Sequence, residues 1–142
     1  MKIENFVKTE HRFLSNFYPC EISFSTITYP SVEHAFQAEK TLDMDIRRKI
    51  AKASTPGKAK SMGRKVKLRS DWEDIKDAVM FIFLQQKFAI PKFRRSLLAT
   101  GDAEIIEGNN HGDSYWGVYK GVGKNKLGKL LMRVRQEIKD AQ

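Results

Sequence analysis

Alternating apolar and polar side chains in residues 1–30 are typical of short β-strands. The clearest stretch is Ile22-Ser23-Phe24, and Pro19 and Pro30 interrupt the pattern on either side of it. After Pro30, apolar positions recur with helical spacing. The pattern therefore predicts short N-terminal strands followed by helices, which is an α+β fold dominated by helix.

Cap residues mark where several of the helices begin. Ser31 and Thr55 can each accept a hydrogen bond from an unpaired backbone N–H, and Pro56 suits a first helical position. Ser70 followed by Glu73 fits a capping box. Six helices are predicted. The first begins at Val32 and runs toward Leu42, the second begins at Asp43, and the third and fourth cover 56–66 and 71–89. The fifth runs from Pro91 to a left-handed cap at Gly101, and the sixth covers 125–140. In the helix predicted over 71–89, the spacing places six residues on one face, namely Trp72, Ile75, Val79, Ile82, Phe83 and Gln86.

Residues 108–125 differ from the rest of the chain, because they hold five of the nine glycines. The segment also contains aromatic and amide side chains, which makes it a candidate ligand-binding loop. No repeat, low-complexity tract or linker-like composition interrupts the chain. We therefore predict a single domain over residues 1–142, with helices packed around one small sheet region.

The net charge of +9 favours encounter with polyanions or phosphorylated small molecules. Six of the cations lie within residues 58–69, which contain no acidic residue. Cys20 is the only cysteine, so an intrachain disulfide is impossible. No apolar run reaches the roughly 20 residues of a membrane span, and the N-terminus lacks a signal-peptide pattern. These features predict a cytoplasmic location without membrane association.

Three polar residues of the first helix have the spacing of one helix face. Glu33, Gln37 and Lys40 recur at i, i+4 and i+7, and either an exposed salt-bridge stripe or a reactive group explains them. Lys76 lies one turn after Trp72, where it either covers apolar surface or is desolvated into a nucleophile.

Two other site types are disfavoured. His34 and His111 have no second histidine or cysteine at metal-binding spacing. The segment 121–128 is not a nucleotide-triphosphate loop, although its backbone N–H groups and Lys124 could hold one phosphate. We therefore expect neither a metal nor a cofactor.

Several segments in this order resemble one family. The residues that carry the resemblance are Phe13-Leu14-Ser15-Asn16-Phe17-Tyr18-Pro19, Ser31 to Lys40, Thr55-Pro56, Met62 to Lys65, Arg69 to Lys76, Lys87-Phe88, Asp113 to Gly117 and Gly123 to Arg135. Over about residues 10 to 135 the chain resembles the YbiA-like (NADAR) family of N-glycosidases. The resemblance implies a compact helix-rich domain that cleaves a bond between ribose and a base-like ring.

The resemblance also implies a set of site residues. The candidate catalytic residues are Glu33, Lys40 and Lys76. The candidate substrate-binding residues are Asn16, Phe17, His34, Gln37, Arg64, Asp71, Trp72, Asp113, Trp116, Gly117 and Asn125. Among them, the tryptophans would stack on a base or adenine, Asp113 and Asn125 would bind ribose hydroxyls, and Arg64 would hold phosphate.

Two substrates and a different class of function follow from the resemblance and the charge. The basic run favours removal of ADP-ribose from ADP-ribosylated guanine in nucleic acid. The alternative substrate is a ribosylaminopyrimidine phosphate of riboflavin biosynthesis. The third possibility is a module that binds ADP-ribose or nucleic acid without turnover. The oligomeric state is left open.

Overall fold

The computed structural model describes residues 1–142 and contains six α-helices, one 3-10 helix and six short strands. The α+β class dominated by helix is confirmed. The elements in chain order are β1 Lys2–Ile3, the 3-10 helix Thr9–Leu14, β2 Ile22–Phe24, β3 Ile27–Tyr29, α1 Val32–Ala38, α2 Met44–Ala51, α3 Pro56–Gly63, α4 Trp72–Ala89, α5 Pro91–Ala99, β4 Glu104–Ile105, β5 Gly108–Asn109, β6 Val118–Tyr119 and α6 Lys126–Asp140. None of the helices combines the length and apolar character needed to cross a bilayer.

The chain divides into two compact units. The central unit is residues 16–87, and the flanking unit is residues 1–15 together with residues 88–142. The single domain over 1–142 stays a prediction.

The central unit is built on a hairpin and four helices. Strands β2 and β3 pair antiparallel, with Ile22 opposite Tyr29 and both buried. Ser25 and Thr26 join them, both with positive φ, as a two-residue hairpin turn requires. Every residue of α1 is buried. Helix α1 therefore forms the middle of this unit.

The flanking unit contains two parallel strand pairs, the 3-10 helix and the helices α5 and α6. Strand β1 pairs with β4 and strand β5 pairs with β6, both in parallel. Phe88 packs edge-on against Phe13 and Phe93, with ring centroids 6.4 Å apart in both cases. The buried aliphatic side chains of this unit are Ile3, Leu14, Leu97, Ile105, Leu127, Leu131 and Val134.

The structure differs from the predicted elements in three respects. A 3-10 helix occupies Thr9–Leu14, where strands were predicted, and the sheet region is three separate two-stranded ladders. Helix α1 ends at Ala38 rather than near Leu42, because the next three carbonyls bond outside the helix. On α4, Ile82 is 46% exposed, while Met80 and Leu84 are buried. The buried side of α4 is thus rotated from the predicted one.

Candidate active site

A buried carboxylate and a buried amide form the middle of the candidate site. Ser31 caps α1 by accepting a hydrogen bond from the backbone N–H of His34, and this sets the helix start. Gln37 then lies one turn after Glu33, and its Nε2 donates to Glu33 Oε2 at 2.5 Å. Glu33 is 7% exposed and Gln37 is 3% exposed. An exposed salt-bridge stripe is therefore excluded for these two residues.

Burial raises the pKa of the Glu33 carboxyl above its usual value. The bond from Gln37 and the nearby charges of Lys60 and Lys40 oppose this rise only in part. The carboxyl of Glu33 therefore holds its proton more tightly than an exposed glutamate does. A general acid or base role for Glu33 stays a prediction.

Lys60 of α3 and Lys40 lie close enough to Glu33 to act on its charge. Lys40 follows α1, and burial lowers the pKa of its ammonium. The Glu33 carboxylate opposes that lowering, whereas Arg64, Lys60 and Lys76 add to it. Lys60 and Arg64 lie one turn apart on α3 and its C-cap. Lys40 therefore holds its proton less tightly than an exposed lysine does, and phosphate binding by Arg64 stays a prediction.

Lys76 has a close partner of its own on α4. Its Nζ donates to Glu73 Oε2 at 2.6 Å, one turn back along the helix. The nearby indole of Trp72 is 5% exposed and packs against Phe36, with ring centroids 5.0 Å apart. Stacking of Trp72 on a base stays a prediction, and little of its ring is accessible in this structure.

Asn16 and Phe17 begin the central unit beside α1. The carbonyl of Asn16 accepts a hydrogen bond from the backbone N–H of Glu33 at 3.1 Å. Asn16 Nδ2 donates to Met80 Sδ at 3.5 Å, and its buried Oδ1 has no partner. Phe17 is 43% exposed. Asn16 therefore offers an acceptor oxygen that a bound N–H or O–H group could satisfy.

His34 and Asp71 have protein partners on the atoms that a ligand would use. His34 Nδ1 lies 2.7 Å from Ser31 Oγ, and its Nε2 lies 2.9 Å from the Ala53 carbonyl oxygen. Asp71 accepts two bonds from Arg69, at 2.6 and 3.2 Å. Both residues hold neighbouring segments in place, and their direct roles in substrate binding stay predictions.

The remaining predicted site residues lie in the flanking unit, where side chains order the glycine-rich loop. Asp113 Oδ1 accepts from the backbone N–H groups of Tyr115 and Trp116, at 3.1 and 2.9 Å. Asn125 accepts from the N–H of Glu107 and donates to the carbonyl of Ile105. Asp113 and Asn125 therefore serve the loop itself, and ribose binding by them stays a prediction.

Trp116 is half-buried at the tip of this loop. Its ring meets Tyr115 edge-on, with centroids 5.0 Å apart, and Lys124 Nζ lies 5.3 Å from the Tyr115 ring centroid. Gly117 is buried, and a side chain there would overlap the carbonyl of Glu107. Gly117 thus permits a close approach of two backbone segments.

We expect Asp113→Ala to loosen this loop by leaving two backbone N–H groups without their acceptor. The expected loss in the free energy of unfolding is about 1–2 kcal/mol, with faster amide hydrogen exchange at Tyr115 and Trp116. Asp113→Asn keeps one oxygen acceptor and serves as the matched control. Unchanged exchange in the alanine variant would show that Asp113 does not order the loop.

Sequence reasoning did not single out Lys60, Glu39, Arg47 and Arg69 as site residues. Lys60 was visible only as one member of the basic run, and its i, i+4 spacing to Arg64 was the available signal. Glu39 and Arg47 are buried and paired at 3.3 Å. No periodicity of the chain indicates that pairing.

Comparison with known proteins relates nearly the whole chain to one family. A family model described as the NADAR domain matches residues 5–139. N-glycosidase YbiA of Escherichia coli is 40% identical over an alignment 142 positions long that covers 96% of this chain and 88% of that protein. A riboflavin biosynthesis protein of Vibrio vulnificus is 40% identical over 134 residues, which cover 92% of this chain but only 36% of that protein. The NMR structure of Escherichia coli YbiA matches with a TM-score of 0.85 at 36% identity, covering 99% of this chain and 85% of that one.

Proposed function

This chain belongs to the NADAR domain family, and we propose that it uses Glu33 and Lys40 to hydrolyse the bond between ribose C1 and a nitrogen of a base. It is an enzyme of the N-glycosidase class, like the relatives that carry that name. The observation that carries the proposal is the buried pair of Glu33 and Gln37 with Lys40 and further cations beside it.

Glu33 has the properties that cleavage of an N-glycosidic bond requires. The bond breaks with positive charge developing at ribose C1, and a carboxylate beside that carbon stabilises the charge. Glu33 takes a proton from water as the water oxygen bonds to C1. The electron pair of the broken bond goes to the base nitrogen, which receives the proton from Glu33. Gln37 holds the carboxylate in one orientation throughout.

Lys40 is the nucleophile that we favour for a covalent route. Its free amine bonds to ribose C1 as the bond to the base breaks, and the base leaves with a proton that the lysine nitrogen gives up. The bond from C1 to the ring oxygen then opens to an iminium, with that oxygen taking a proton from water. Water adds to C1 of the iminium and releases the amine and the ribose aldehyde. The lowered pKa of Lys40 favours the free amine that this attack requires. Lys76 is the weaker candidate, since its ammonium is held at 2.6 Å by Glu73.

We propose ADP-ribosylated guanine in nucleic acid as the substrate. Support comes from exposed cations beyond those around Glu33, namely Lys58, Lys65 and Lys67, which a polyanion would contact. A ribosylaminopyrimidine phosphate is the second candidate. It is favoured by the relatives named riboflavin biosynthesis proteins. A cytoplasmic location stays a prediction.

The test offers ADP-ribosylated guanine DNA and, separately, a ribosylaminopyrimidine phosphate to the purified protein, with borohydride added before mass spectrometry. We expect release of ADP-ribose and a reduced adduct on Lys40, absent in Lys40→Gln and present in Lys76→Gln. Because counterions are released on DNA binding, KM for the DNA substrate should rise steeply with salt.

Two other results would change the assignment. Turnover of the ribosylaminopyrimidine phosphate alone would establish the second candidate. Tight binding of ADP-ribose without turnover of either substrate would contradict an enzyme and identify a binding module.

A further inference from the structure

Two arginines bind the backbone carbonyls at and beside Lys40, just after the end of α1. The carbonyl of Glu39 accepts from Arg69 Nη1 at 3.5 Å, and the carbonyl of Lys40 accepts from the backbone N–H of Arg69 at 2.8 Å. The next carbonyl, that of Thr41, accepts from Arg47 Nε at 2.8 Å. Three consecutive carbonyls are therefore bonded to Arg69 or Arg47.

Carboxylates hold both arginines in turn. Glu39 Oε2 lies 3.3 Å from Arg47 Nη2 and 3.5 Å from Arg69 Nη1. Asp71 accepts from Nε and Nη2 of Arg69 in a two-bond pair. Glu39 and Arg47 are 4% and 5% exposed, so this end of the network is shielded from water, whereas the Asp71 side chain is 48% exposed. The two-bond pairing with Asp71 and the buried contact with Glu39 together hold the Arg69 guanidinium in one orientation.

Arg69 also connects Lys40 to the aromatic pair. The backbone N–H of Trp72 donates to the carbonyl of Arg69 at 3.2 Å, and Trp72 packs against Phe36 of α1. One residue thus touches the segment that carries Lys40 and the start of the helix that carries Trp72.

We propose that Arg69 is a positioning residue that fixes where the Lys40 amine lies among the charged groups facing it. This inference rests on the proposed function, in which Lys40 reacts at ribose C1. The charged groups that face Lys40 are Glu33 on α1, Lys60 and Arg64 on α3 with its C-cap, and Lys76 on α4. The guanidinium geometry is essential, because a lysine has the charge but not the planar fork that binds Asp71 twice.

The experiment measures the reactivity of Lys40 separately from catalysis. Each lysine is labelled with ribose 5-phosphate and cyanoborohydride from pH 6 to 10, and the fraction labelled is read by mass spectrometry. Arg69→Lys, Arg69→Gln and Asp71→Asn are compared with Arg48→Gln. Arg48 pairs with Asp45 at 3.1 Å on the surface of α2 and serves as the control.

We expect labelling of Lys40 at pH 7 to fall about tenfold in Arg69→Lys, because the amine moves toward water and regains protons. Turnover should fall about 10²-fold in kcat with a smaller change in KM, as misplacement of a reacting group predicts. Asp71→Asn loosens the guanidinium without removing it and should lie between wild type and Arg69→Lys. If Arg69→Gln does not fold, Asp71→Asn still tests whether a less firmly held Arg69 changes the labelling of Lys40.

Wild-type labelling of Lys40 in folded Arg69→Lys would overturn the positioning role. If the wild-type protein turns over neither substrate while Lys40 labelling still responds to Arg69→Lys, the proposed function fails and the positioning of Lys40 stands. Equal losses of labelling in Arg48→Gln would also count against Arg69, since they would reveal a general effect of removing an arginine.

Discussion

Replacement of Glu33 by glutamine is expected to reduce kcat about 10³-fold while leaving substrate affinity nearly unchanged. Glutamine keeps the size of the side chain and an oxygen that can accept the bond from Gln37. It has no charge to stabilise the developing cation at C1 and cannot shuttle a proton. Single-turnover rates and KM, measured on the substrate that the wild-type protein cleaves, test this expectation.

The same substitution should increase stability at alkaline pH. Burial raises the pKa of Glu33 in the folded state above its value in the unfolded chain. The folded protein therefore binds this proton more tightly, and its stability falls as pH rises through those two pKa values. Above both, an ionised buried carboxylate destabilises the wild type only. Glu33→Gln should melt at a higher temperature at pH 8, with the difference shrinking toward pH 4.

An opposite result would be equally informative. If Glu33→Gln retained kcat within about threefold, a carboxylate would not be needed at C1, and Lys40 alone would have to account for the reaction. If the variant melted lower at pH 8, the ionised form of Glu33 would be stabilised by its neighbours more than burial opposes it.

Gly63→Ala is the second substitution with a large expected effect. Gly63 is buried at the end of α3, and a Cβ there would overlap the side chain of Gln37. Gln37 would have to move, and its bond to Glu33 would be lost. We expect a loss of about 1–3 kcal/mol in the free energy of unfolding and about 10²-fold in kcat.

Gly57→Ala in the same helix is the matched control. A Cβ at Gly57 would lie 3.9 Å from Thr55 Oγ1, which is an ordinary contact. Because alanine favours helix over glycine, this variant should gain up to about 1 kcal/mol and keep its activity. Equal activity in Gly57→Ala and Gly63→Ala would show that Gln37 does not control the reaction.

Local chemistry explains why the start of α1 and its polar face could be predicted. Ser31 is an N-cap in the sequence and in the structure, and the i, i+4 spacing brings Glu33 and Gln37 into contact. Burial of that face could not be predicted in the same way. It depends on α2 and α3 covering α1, and the sequence of α1 alone does not reveal which of its faces they cover.

Periodicity did not predict the burial of Lys87 or the pairing of the shortest strands. Lys87 is fully buried, and burial lowers its pKa to about 8, although lysine is normally a surface residue. The parallel pair of β1 and β4 joins residues about a hundred positions apart, as in Lys2 opposite Glu104. Two-residue strands also leave too short a pattern for period-2 alternation to be read.

The flanking unit is made of two stretches of chain separated by residues 16–87, so its two parts are synthesised at different times. Strand β1 has no partner until β4 has been made, because its register joins Ile3 to Ile105. The segment 16–87, which contains Glu33, Lys40 and Trp72, is continuous and is complete before that point. Since chains fold from the N-terminus as they emerge, we expect the helices around Glu33 to assemble on the ribosome while β1 is still unpaired.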